Sequence, residues 1–182
     1  MGEHREGLTA SRQGRGTAGA ALRLWLGPDT NPAGTVYGTI TIGGVLAAEG
    51  SRGLTLPRTI IAALLILVLY WFVHAWSDDT GNRIEQGRPF SVGEFGTELG
   101  RNWTIVRGST VPLIAVVIAA LAGAPDQRAI WAGTLVAAAS LVAIELVTAL
   151  RMRLGAAQIL LQTAVGAGFG IALIAMRYVL HP

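Results

Sequence analysis

Residues 59–76 read TIIAALLILVLYWFVHAW, a run without Asp, Glu, Lys or Arg and with His74 as its one titratable group besides Tyr70. An α-helix rises 1.5 Å per residue, so about 20 mostly apolar residues cross a hydrocarbon core of ~30 Å. Only a helix or a closed barrel satisfies its own backbone in lipid. The pattern recurs at Trp103–Gly123, Ala129–Leu150 and Ala156–Leu180, and a weaker, glycine-rich version precedes it at Ala33–Ala48. The fold expected is all-α: a polytopic transmembrane helical bundle of about five spans. Residues 1–32 are expected as a disordered cytoplasmic tail and residues 33–182 as the transmembrane domain.

Composition agrees with this reading. Of 182 residues, 52% are hydrophobic and only 14% charged, which suits a membrane protein and leaves no polar segment long enough to bury a separate core. Any site must therefore lie between helices or in the connections. All 14 basic residues are arginine, with no lysine, a pattern read as the codon bias of a GC-rich bacterial genome. Nucleic acid is not expected as a partner, because basic clusters with aromatic stacking platforms are absent. The absence of cysteine removes disulfides, thiolate metal sites and thiol nucleophiles together. The first 32 residues spread Arg5, Arg12, Arg15 and Arg23 among Gly, Ala, Ser and Thr, unlike a secretory signal and like a solvated tail.

Arginine placement orients the chain. With five spans and a cytoplasmic N-terminus, nine arginines face the cytoplasm and four (Arg52, Arg58, Arg128 and Arg177) the opposite side. Positive charge favours the cytoplasmic side, so the reading is N-terminus in and C-terminus out, in a bacterial plasma membrane. Residues 33–48 are short for a span at ~24 Å. A re-entrant first segment would leave four spans.

The longest polar connection is Ser77–Asn102. Asp78, Asp79, Gly81 and Asn82 read as a helix stop and turn. Ser91 and Glu94 have capping-box spacing, and Phe95, Leu99 and Trp103 recur every four residues. A short amphipathic helix on the cytoplasmic surface is therefore expected before the third span. Pro112 is expected to kink that span.

Polar groups within apolar helices are costly, so each needs a partner or a purpose. The candidates for a polar transport pocket are Tyr37, Thr39, His74, Arg107, Glu145 and Gln162, all in the cytoplasmic half of the expected bundle. Glu145 ranks first as an ion- or proton-linked carboxylate, the alternatives being a structural ion pair with Arg107 or a carboxyl held protonated by burial. His74 is compatible with a metal ligand or proton relay, but a lone histidine beside Tyr70, Trp71 and Trp76 more often belongs to an interfacial aromatic belt. Arg177 is expected to snorkel to the far interface. Among the loop carboxylates, Glu94 and Glu98 stand one turn apart and suit an oxygen-ligated divalent cation; a solvated face with Glu98–Arg101 pairing explains them as well. No resident cofactor is expected, a divalent metal entering only as a substrate.

Gly34/Gly38 and Gly166/Gly170 form small-xxx-small spacings that predict close helix pairs, within a subunit or across a homodimer. No Ser/His/Asp set, Walker motif or HExxH is present, so an enzyme is not expected. Two helices, an acidic loop and three more helices make a 2+3 plan that resembles the vacuolar iron transporter family of divalent-metal/proton exchangers. The likeness is carried by Thr148–Gly155 closing one span, a glycine-rich last helix reaching Tyr178, and Gly38 in the first helix. That family places an aspartate beside the first-helix glycine, where this chain has Tyr37 and Thr39. The chain is also similar to small bacterial membrane proteins with a Tyr-Gly-Thr-Ile first helix, here Tyr37–Ile40, and a His-Ala pair, here His74-Ala75. The nearer likeness implies no activity, and the resemblance to the exchanger family implies a small transporter for a divalent cation or another small solute; the alternative is an accessory or scaffold membrane subunit.

Overall fold

The computed structural model describes residues 32–49 and 55–180; the tail expected over residues 1–32 lies outside them except for Pro32. The described residues form six helices in order: α1 (Pro32–Glu49), α2 (Leu56–Gln86), α3 (Val92–Arg101), α4 (Trp103–Leu121), α5 (Asp126–Arg151) and α6 (Ala156–Leu180). Among the described residues there is no strand. Four segments among the described residues are long and apolar enough to cross a membrane: α2, the α3–α4 rod from Val92 to Leu121, α5 and α6. The chain is thus an all-helical membrane protein, and α1, expected as a fifth span, does not meet the same measure.

The weakest hydrophobic segment nevertheless lies at the centre. The buried residues of α1 come in adjacent pairs every four positions: Gly34-Thr35, Gly38-Thr39, Ile42-Gly43 and Leu46-Ala47. That spacing makes one continuous buried stripe along a helix. The first two pairs meet α4, where a Cβ on Gly38 would come within 2.8 Å of the Ile105 carbonyl carbon. One on Gly108 would come equally close to Thr35 Cα. Further along, Gly43 abuts Ala137 of α5 and Leu173 of α6, and Leu46 meets Gly133 of α5. Lipid tails are as apolar as leucine, so such helices are held by close van der Waals packing, which small residues permit. These contacts make α1, α4 and α6 run one way and α5 the other, and α2 runs with α5, the Leu56 N–H at its start meeting Asp126 at the start of α5.

Pro112 has a specific consequence for this packing. Helix α4 continues through it without a break. Proline lacks an N–H, so the carbonyl four residues earlier, on Gly108, loses its helical donor. The Thr39 hydroxyl reaches that carbonyl at 3.0 Å, as well as the Thr35 carbonyl of its own helix at 2.9 Å. A neighbouring helix thereby satisfies the group that proline frees, as a lipid environment demands.

Helix α2 departs from the expected turn at Asp78–Asn82 and continues to Gln86. The turn-forming residues are held helical by side chains. Asp79 is buried and accepts from Arg83 Nε at 2.9 Å, one turn on, and Arg83 also reaches the Thr80 hydroxyl. The helix stops at Gly87, whose φ of 61° is left-handed, with the Arg88 N–H returning to the Arg83 carbonyl. Ser91 does occupy the N-cap position of α3, but its side chain makes no capping bond, and Glu94 pairs with Arg88 instead.

Candidate functional site: a polar cleft at the α2–α3 junction

Because α2 overshoots its apolar stretch, its last three turns stand beside α3. Aromatic contacts dock the two: Phe72 meets Phe95 edge-on at 5.3 Å, and Trp71 Nε1 donates to the Leu99 carbonyl at 3.0 Å. Trp71 also packs edge-on against Trp103 at the head of α4. Polar bonds complete the junction. Asn82 Nδ2 donates to Glu98 Oε1 at 3.1 Å, and Asn102 Nδ2 donates to Asp78 Oδ2 at 3.0 Å. Between them opens a cleft of about 340 Å³ lined by Ser77, Asp78, Gly81, Asn82, Glu85, Glu98 and Arg101.

Glu98 is the unusual member. The expected Glu98–Arg101 pair forms, but the carboxylate is not solvated: it is 7% exposed while Arg101 reaches into water. Its Oε2 is buried without a hydrogen-bond partner, as is Asn102 Oδ1 nearby in α3–α4. A salt bridge with one exposed partner is worth at most about 1 kcal/mol. Removing a carboxylate from water costs several kcal/mol. The Arg101 pair alone therefore does not hold the carboxylate; the docking of α3 on α2, which includes the Asn82 hydrogen bond, keeps it buried. Glu94, its expected companion, is turned away to Arg88 in the exposed part of the α2–α3 connection, so the two glutamates do not form a bridging pair. Among the described residues no three His, Asp or Glu side chains converge as a ready metal site.

The other expected site residues fall into three groups. His74 and Tyr37 come together: their rings lie 5.3 Å apart across the α1–α2 seam, and Tyr70 stacks on His74 from the preceding turn at 5.8 Å. Thr41 stands one turn beyond Tyr37 on α1. Thr39 belongs to the α1–α4 contact described above and faces away from this seam. Glu145 and Gln162 share the α5–α6 interface. Glu145 Cγ packs at Gly166, and Gln162 stands one turn before that glycine with its Oε1 buried and unpartnered. Arg107 is half-buried on α4, and no ion pair joins it to Glu145. A single pocket holding all six residues is not what the helices build.

Sequence reading missed the line that connects cleft and seam. Tyr70, His74, Ser77, Asp78, Gly81 and Glu85 recur at helical spacing on one face of α2. The signal was present as a period, but it is visible only if the helix is allowed to pass through Asp78–Asn82. No protein-family model, curated protein or solved structure matches the chain.

Proposed function

We propose that the protein is a small transporter-like membrane protein for a cationic solute, a divalent metal ion or another small cation, which it collects at the α2–α3 cleft. The observation that carries this is Glu98, a buried carboxylate with one oxygen left without a hydrogen-bond partner, among the residues lining a cleft with Asp78 and Glu85. A cation there would meet charge and oxygen ligands together, with Arg101 as the internal cation it displaces. The polar face of α2 leads from that cleft into the seam, where Tyr37, Tyr70 and His74 gather polar groups inside an otherwise apolar zone. Five spans with a cytoplasmic N-terminus place this cleft on the cytoplasmic side, and α1, sheltered by α4, α5 and α6, crosses without needing an apolar surface of its own. The 2+3 order of helices around α3 supports the same class of function.

The test is uptake of Mn²⁺ into proteoliposomes carrying an entrapped metal-sensitive dye, with and without a pH gradient. The full chain would be compared with Glu98→Gln, His74→Gln and Glu145→Gln. Loss of a charged contact at a binding site costs a few kcal/mol, so Glu98→Gln is expected to weaken apparent affinity by at least about tenfold. His74→Gln should remove the response to the gradient while leaving affinity intact. Glu145→Gln places the α5–α6 carboxylate in or out of the path. Folded protein that passes neither Mn²⁺ nor a small organic cation above empty liposomes would overturn the proposal in favour of an accessory subunit.

A further inference from the structure

At the end of the bundle opposite the Glu98 cleft, the start of α5 and the end of α6 enclose a second cavity of about 240 Å³. It is lined by Gln127, Arg128, Trp131, Arg177 and Tyr178. Arg177 does not snorkel as expected. It is 8% exposed, with its guanidinium carbon 5.1 Å from the centre of the Trp131 ring. Tyr178 meets the same indole edge-on at 6.0 Å. The Arg177 Nη1 is buried without a hydrogen-bond partner. A buried guanidinium with an unsatisfied donor is costly, and an oxyanion is the group whose geometry its planar fork fits best.

The rest of the lining points to the same chemistry. Arg128, the Tyr178 hydroxyl, the Trp131 indole and the Gln127 amide all offer donors, and no carboxylate lines the cavity. Asp126, the acidic residue of the first turn of α5, is engaged elsewhere, accepting from the Leu56 N–H at 2.9 Å. The α5 N-terminus adds the positive end of a long helix. Trp and Tyr mark the headgroup depth of a bilayer, and exposed Val179 and Leu180 continue from Tyr178 as an apolar flank.

We propose that this cavity is a binding site for a phosphoryl oxyanion, as carried by an anionic phospholipid headgroup or by free phosphate. The site is independent of the cation cleft, and its test does not depend on transport. The full-length protein in a neutral detergent would be titrated with phosphatidylglycerol, with phosphatidylcholine and with inorganic phosphate, reading bound lipid by native mass spectrometry and protection by thermal unfolding. Wild type is expected to retain phosphatidylglycerol over phosphatidylcholine or to be protected by phosphate. Each arginine near a headgroup contributes about fivefold or more, so Arg177→Gln should lose about tenfold in binding and the exposed Arg128→Gln about fivefold. Arg58→Gln, at the same end of the molecule but outside the cavity, should lose nothing. Protection by phosphate alone assigns the site to a soluble oxyanion, and retention of phosphatidylglycerol alone to a lipid; both sustain it. Should Arg177→Gln fail to fold, Arg128→Gln and the wild-type titrations decide. Equal binding of both lipids with no phosphate effect overturns the proposal, as does unchanged binding in folded Arg128→Gln and Arg177→Gln proteins.

Discussion

Helices α1 and α2 are neighbours in sequence and opposites in role. Helix α2 carries the most apolar window of the chain, yet only Thr59, Ala63, Leu67, Ala75 and Asp79 of its 31 residues are buried. Ile61, Leu64, Leu65, Ile66, Leu69, Phe72 and Trp76 face outward, and an apolar groove between α2 and α4 runs past Ile60, Leu64, Leu113 and Val117. Helix α1 is shorter, broken up by glycines and threonines, and buries eight of its 18 residues. In water the more apolar helix would be the core. In a bilayer hydrophobicity secures residence in lipid, while helix association depends on how closely backbones approach and how well polar groups are met. The two helices divide those tasks.

That division can be broken at α1 and should survive change at α2. The largest effect is expected from Gly38→Leu. Its side chain would overlap the Ile105 backbone, which cannot yield as a flexible side-chain tip can. Overpacking costs about 1–3 kcal/mol when side chains adjust, and a backbone clash should exceed the upper figure. Unfolding in mixed micelles, read as the detergent concentration at the midpoint, checks it; a midpoint within error of wild type would end the case for α1 as the hub.

A finer experiment concerns Thr39 and Pro112. Interhelical hydrogen bonds in membranes average about 0.6 kcal/mol and reach about 1.7 kcal/mol. Thr39→Val should cost toward the upper end, because it strands a carbonyl that proline has already deprived of its donor. In a Pro112→Ala background the alanine N–H can serve Gly108, so the same Thr39→Val change should cost much less. The double-mutant cycle measures that coupling, and additive effects would show that the hydroxyl merely caps its own turn.

The smallest effect is expected on α2. Leu65 is 66% exposed, and Leu65→Ala should stay within about 0.5 kcal/mol of wild type in the same assay. A cost comparable to that at Gly38 would mean that the outward face of α2 is an interface in solution, and would favour the accessory-subunit reading over transport.

The candidate site was partly legible. Carboxylates in the Ser77–Asn102 connection, a helix starting after Ser91, and a Glu98–Arg101 pair all follow from residue spacing, and the structure contains them. The burial of Glu98 does not follow, because it depends on α2 passing through Asp78–Asn82 to present Asn82 and Asp78 to α3 and Asn102. Turn propensity weighs each residue by itself. The Asp79–Arg83 bond and the docked face of α3 together outweigh it. His74 and Tyr37 were both selected for being polar in apolar segments, but their meeting needs α1 and α2 to pair antiparallel in one register. The glycine spacings predicted close packing correctly at Gly34, Gly38, Gly166 and Gly170, each spent within the chain, while Gly168 faces open space.

By itself the sequence determined that the chain lives in a membrane and is helical, since runs of apolar residues of that length leave the backbone no other way to satisfy itself in lipid. It also determined where helices can approach closely, because glycine is defined by what it lacks. Only the tertiary structure decided which helix is central, which polar groups meet and which remain without partners. Those outcomes depend on the relative register and rotation of whole helices, and a one-dimensional pattern carries the face of each helix but not what that face meets.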